Sequence, residues 1–279
     1  PPEPGGGDWL HHWRAADGEV ALSLARSPEG GFLLRFPDQA DFLLSAAGDN
    51  VRIWPRTDTG PETVRHLLLD QVLPRLLAQQ RRLVLHAGVV QVGEFAIAFL
   101  GKTGRGKSTL VASFDSAGCP LLSDDGLAVK KPGAQVLVTP TYPSLRLWPE
   151  TVSRLFGSSS RVAAMAHYSS KQRVMIGDLS AAVVRDIPLG ALFVLQAAVE
   201  AEPDATSVSR LPARDACMAL IENSFQLDVT DGQRAKGLLT IAGDIALRVP
   251  VFSISYPRNF ARLNDVRAAI LGQRSSWES

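Results

Sequence analysis

The chain has 279 residues, 46% of them hydrophobic and 20% charged, with 29 basic and 28 acidic side chains and a formal charge of +1 at pH 7. That apolar fraction excludes disorder as the main state, and a near-neutral balance argues against a surface built to coat nucleic acid. Two cysteines, Cys119 and Cys217, cannot make a disulfide framework and point to a reducing compartment, the cytoplasm, while no apolar run reaches the roughly 18 residues of a membrane span.

Residues 1–8 open on Pro1-Pro2-Glu3-Pro4-Gly5-Gly6-Gly7, which lacks the basic and apolar regions of a signal peptide and reads as a disordered leader. From Trp9 to Trp54, short apolar runs separated by Gly, Pro, Asp and Asn predict three to five strands of a small antiparallel sheet. Pro61 and Glu62 open a helical period through Val64, Leu67, Leu68, Val72, Leu76 and Leu77, with Pro74 predicting a kink or two abutting helices. This defines a β-rich unit with a linking helix over 9–80. After Arg81-Arg82 the pattern turns to alternating strands and helices, an α/β catalytic domain over 81–279. Strand-like runs fall at 83–85, 89–92, 95–100, 121–122, 127–130, 135–139, 191–195 and 251–255. Helices are expected at 107–117, near 149–157, 212–225 and 232–246, and around 264–271. The serine-rich stretch 157–171 reads as a mobile loop.

The segment Gly101-Lys102-Thr103-Gly104-Arg105-Gly106-Lys107-Ser108 fits GxxxxGK[ST] without mismatch, after an apolar strand and before a helix. Glycines let successive N–H groups point inward at a helix N-terminus, which is an anion nest. Lys107 then reaches the outer phosphates of a nucleotide, and the Ser108 hydroxyl suits Mg²⁺. Nucleotide contacts are therefore expected from Gly101, Thr103, Gly104, Arg105, Gly106, Lys107, Ser108 and Thr109. Lys102 and Arg105 have a plainer reading as solvated loop cations.

Sixteen residues beyond Ser108, the apolar Leu121-Leu122-Ser123 delivers Asp124 and Asp125. Adjacent residues of a strand face opposite ways, so the two carboxylates take different roles: one accepts a proton from an attacking hydroxyl, the other orients a neighbour or helps hold metal. A turn built on Asp124-Asp125-Gly126 is the plainer alternative. His86 ends the strand at 83–85, and by itself a strand-end histidine is more often structural.

His86-Ala87, the loop at 101–108 and the Asp124-Asp125 pair, at these separations, resemble the catalytic domain of HPr kinase/phosphorylase. The likeness implies a P-loop-containing, HPr-kinase-like core over 81–279 that phosphorylates serine with ATP and Mg²⁺. It further implies Asp124 as the base, Asp125 and His86 as its supporting pair, and Ser108 with Asp125 at the metal. The stretches Leu68-Leu69-Asp70-Gln71-Val72-Leu73-Pro74, Pro140–Pro149 and Tyr256-Pro257-Arg258 are similar to a divergent branch whose members phosphorylate precursor peptides of lasso-peptide biosynthesis. Thr109 stands where the housekeeping enzymes carry glutamate, which turns the expected substrate from HPr towards a ribosomal precursor peptide. Arg146 holds a phosphate or substrate carboxylate, or else packs beside Trp148. Lys171 and Arg173 neutralise transition-state charge, or else are solvated. Expected partners are a peptide substrate and neither nucleic acid nor membrane; the resembled family forms hexamers, so a homo-oligomer is one of the states it allows. A protein-serine kinase for HPr and a nucleotide-dependent switch are the competing functions.

Overall fold

The computed structural model describes residues 8–15, 17–130, 135–140, 144–157, 162–166, 169–175, 185–197 and 205–278. The expected leader lies outside them apart from Asp8. The chain divides into two compact units: one runs up to Arg82 and takes in Ala164–Ser170 and Phe225–Gly237, and the other takes the remainder.

In the first unit β1 (Trp9–Arg14), β2 (Val20–Arg26), β3 (Phe32–Phe36), β4 (Ala40–Leu44) and β5 (Val51–Pro55) form an antiparallel meander in chain order. Leu22 and Leu24, Phe32, Leu34 and Phe36, and Ala40, Phe42 and Leu44 recur at every second position. That period puts them on one face, where they pack with Leu67, Val72 and Leu76 of the helical segment. The helical run is α1 (Pro61–Leu67), a wider π turn over Leu68–Val72, and α2 (Leu73–Gln79). Pro74 explains the interruption: it has no N–H for the Asp70 carbonyl, and its ring crowds that carbonyl. The wider turn, with the Leu73 N–H reaching Leu68 O, makes room.

The second unit contains the glycine-rich loop. Its strands are β6 (Leu83–Leu85), β7 (Ala87–Val92), β8 (Phe95–Leu100), β9 (Leu121–Ser123), β10 (Leu127–Lys130), β11 (Leu137–Val138) and β12 (Ser144–Leu147), then β13 (Val162–Ala166) and β14 (Ser169–Met175), whose residues 164–170 fall in the first unit, and β15 (Ile187–Leu195), β16 (Ser207–Arg210) and β17 (Val251–Ser255). A curled mixed sheet runs β6-β10-β11-β15-β8-β7-β9, with β17 also on β15 and β16 on β17. The parallel pairs are β8–β15 and β15–β17. Along β8, Ala96, Ala98 and Leu100 enter one core while Ile97 and Phe99 enter the other, as a strand buried on both faces requires. The first core packs against α5 (Ala213–Glu222) and the later part of α6 (Gly232–Arg248). The second packs against α3 (Lys107–Asp115), α4 (Pro149–Phe156) and α7 (Leu263–Leu271). Phe193 sits at the middle of the second core, stacked on Phe252 at 5.1 Å and edge-on to Trp277 at 6.1 Å.

One sequence expectation fails. The stretch 157–171, read as a mobile loop, contributes β13 and the start of β14, which with β12 form a three-stranded sheet. Ser, Ala and Gly carry little strand propensity of their own, and pairing across the sheet supplies what the local sequence lacks. Residues 158–161 and 167–168 lie outside the described residues. Among the described residues no helix is long and apolar enough to cross a membrane.

Candidate functional site

Strand β8 ends at Leu100, and the chain then turns through Gly101–Gly106 into α3. Gly106 caps the helix with φ at 94°, a left-handed conformation that favours glycine. A side chain there is also excluded by space, since a Cβ would lie 2.8 Å from the Tyr256 hydroxyl oxygen. Lys102, Thr103 and Gly104 are exposed, whereas Arg105, Gly106, Ser108 and Thr109 are half-buried.

Lys107 is buried at 6% exposure, and its ammonium folds back to donate to the Gly101 carbonyl at 2.6 Å. Burial is the main reason its pKa falls from 10.5 to about 8. Asp124 pulls the value up, and the neighbouring cations Lys171 and Arg146 push it down. The lysine thus crosses the loop it is expected to serve, held on a backbone oxygen.

The aspartate pair arrives from β9, which runs antiparallel to β7, itself antiparallel to β8, so β9 ends on the same side as the loop. The strand stops at Ser123, whose hydroxyl donates to Gly126 O at 2.5 Å, and Asp125 takes a left-handed φ of 74°. Asp124 therefore reaches Ser108, whose hydroxyl donates to its Oδ1 at 3.1 Å, while its Oδ2 accepts the Arg146 N–H at 3.0 Å. Asp125 faces the Arg146 guanidinium as an ion pair, with His86 Nε2 3.4 Å from its Oδ1. Both carboxylates are buried, at 8% and 7% exposure. Gly88 makes room for this: a Cβ would press on Val111 Cγ2 at 2.6 Å and come within 3.6 Å of Asp124 Oδ1.

Ser108 and Asp125 are the residues expected at a metal; the carboxylate that the Ser108 hydroxyl meets is Asp124. β9 ends at Ser123, so strand alternation does not extend to the two aspartates, and Arg146 binds both, one through its backbone and one through its side chain. Asp125 and His86 lie side by side.

Arg146 lies on β12 directly opposite Arg173 of β14, while Leu145 opposes Val174 and faces the core. Alternation therefore sends Leu145, Leu147 and Val174 inward and puts Arg146, Lys171 and Arg173 on the other face. Arg173 is 6% exposed, and Lys171 lies 5.4 Å above the Trp148 ring. Burial lowers the Lys171 pKa, Arg146 lowers it further, and Asp124 opposes both. Neither cation is a solvated surface residue.

Asn223, at the end of α5, was not singled out by any sequence motif. Its Oδ1 accepts the Gly101 N–H at 2.9 Å, and its backbone carbonyl accepts the His86 N–H at 2.7 Å. Its own Nδ2 donates to Ala219 O at 2.8 Å, which fixes which way the amide points. No local pattern marks a residue 122 positions from the loop it holds. Tyr256 is buried against the loop, and burial raises its pKa to about 12, so it meets the loop as a neutral phenol.

No family model matches this chain, and no curated protein does. Among solved structures it is similar to the Hpr(Ser) kinase/phosphatase from Coxiella burnetii, at 13% identity and a TM-score of 0.35, over 70% of this chain and 99% of that one. A likeness of that extent leaves the chemistry to be read from the residues.

Proposed function

We propose that the chain is an ATP- and Mg²⁺-dependent kinase that phosphorylates a serine hydroxyl of a peptide, a ribosomal precursor peptide of the lasso type. The observation that carries this reading is the placement of Asp124 against Ser108 at the mouth of the glycine-rich loop, with Lys107 buried in the same loop. Backbone N–H groups of the loop and the Lys107 ammonium bind the phosphates. Asp124 takes the seryl proton as the serine oxygen bonds to the γ-phosphorus and the bond to the β-phosphate oxygen breaks, leaving ADP. Asp125, held by Arg146 and His86, keeps its neighbour in place. The cations Arg146, Lys171 and Arg173 line one sheet face beside the carboxylates and offset the negative charge of the transferring group.

The residues fit Mg²⁺ in kind: a hydroxyl and a carboxylate oxygen are hard ligands. Ser108 and Asp125 would hold the ion, which when bound neutralises phosphate charge, and Asp124 stays the base.

Incubation with γ-labelled ATP and serine-containing precursor peptides tests the proposal. Label on serine is expected, and Asp124→Asn is expected to retain nucleotide binding while transfer falls about 100- to 1000-fold. Release of free phosphate without peptide labelling would replace the kinase by a nucleotide-driven switch.

A further inference from the structure

The two edges of the five-stranded sheet are unlike. At β1 the ladder to β2 is broken twice, between Trp9 and His11 and between Trp13 and Arg14, and the strand carries two histidines and an arginine. Irregularity and charge of that kind protect an edge from pairing. At β5 the register to β4 runs through five consecutive pairs, from Leu44–Val51 to Ala40–Pro55, without a break. Among the described residues β4 is the strand it pairs with.

The outward groups of β5 follow from its inward ones. Ser45 N–H donates to Asn50 O and Arg56 N–H donates to Gln39 O, so residues 50, 52, 54 and 56 bond towards β4. The N–H and C=O groups of Val51 and Ile53, and the carbonyl of Pro55, point the other way. Pro55 has no N–H to offer, which sets the length of the open ladder.

Beside the end of this strand lies an open groove of about 600 Å³, lined by Pro55, Thr59, Pro61, Val64, Leu68 and Leu69, with Arg65 as its one charged lining residue. Arg65 is exposed. The side chains of Val51 and Ile53 pack on the same apolar cluster as Leu68. An extended strand laid on β5 would place alternate side chains along the groove and a carboxylate within reach of Arg65.

We propose that β5 with this groove is a docking site for an extended peptide segment bearing alternating apolar side chains and one acidic residue, added to the sheet as a sixth strand. The proposal rests on the peptide-kinase reading, for which a tether away from the reacting serine raises the local substrate concentration.

The test is selection from a phage-displayed library of random twelve-residue segments on the full chain, without nucleotide, followed by affinity measurement of the selected peptides. Selected sequences should alternate apolar residues and carry Asp or Glu. Ile53→Pro removes an outward N–H and leaves the β4 ladder whole, and should weaken these peptides at least tenfold. Arg65→Glu, an exposed change that leaves packing alone, should turn the selected charge from acidic to basic. Failure to enrich any sequence, or binding indifferent to both substitutions, overturns the proposal. A wild-type chain that sediments as a dimer and becomes monomeric on Ile53→Pro also overturns it, in favour of a second copy at this edge. Binding is read without ATP, so a failed phosphotransfer assay and a failed selection remain separate results.

Discussion

Buried charge is arranged differently in the two units. In the first, each buried carboxylate meets its own cation: Asp41 with Arg35 and Arg56, Asp70 with His66, Asp228 with Arg26. In the second, the charges form a chain, from His86 through Asp125 and Arg146 to Asp124 and then to Ser108 on the loop. Each of these pairs satisfies a buried carboxylate within the first unit. The chain of the second unit instead reaches a half-buried hydroxyl at a helix N-terminus, Ser108. What distinguishes the two arrangements is whether the network leads to the glycine-rich loop.

That contrast can be broken from either side. The largest effect is expected from the packing that carries the chain: Phe193→Ala removes the ring stacked on Phe252 and should cost about 3–5 kcal/mol in denaturant unfolding, with loss of transfer as the sheet loosens. Asp41→Asn in the first unit should cost about 2–3 kcal/mol, since a fully buried carboxylate held by two arginines loses its charge, yet nucleotide binding measured by calorimetry should stay within twofold of wild type. A result in which Asp41→Asn abolishes nucleotide binding would end the distinction between closed pairs and the chain.

A subtler effect comes from pH. The Lys107 pKa is depressed from 10.5 to about 8, so the free protein holds its proton below pH 8 and has lost it well above. Phosphate binding needs the ammonium, so above pH 8 each binding event must take up a proton. Affinity should then fall by up to about tenfold per pH unit, with proton uptake visible as a buffer-dependent heat of binding. Folding runs the other way: between about pH 8 and 10.5 the unfolded lysine binds more protons than the folded one, so this group makes stability rise with pH. The smallest effect is expected at Asn223→Ala, which strands the Gly101 N–H; about 1–1.5 kcal/mol should appear as weaker nucleotide binding, with the melting curve shifted by a few degrees at most.

Legibility in the sequence followed the range of the interaction. The loop, the helix after it and the apolar strands before Gly101 and Asp124 were readable because glycine conformation and strand alternation are local properties. The chemistry of Asp124 and Asp125 was legible as a pair but not in its wiring. The strand's end at Ser123 and the left-handed turn at Asp125 decide which carboxylate meets Ser108, and both depend on pairing with β7. Arg146, Lys171 and Arg173 were legible as candidates, but not their sharing of one sheet face, because the Ser- and Ala-rich residues before β14 hide the strand and its partner β12 lies more than twenty residues upstream. Asn223 was illegible for the same reason in its extreme form.

The anchoring by Asn223 has a mechanical corollary. The same residue accepts amide protons from the first peptide of the loop and from the peptide of His86, so these two points are tied to one helix end. Lengthening α5 by a residue, or rotating its last turn, would pull on the glycine-rich loop and the His86 peptide together.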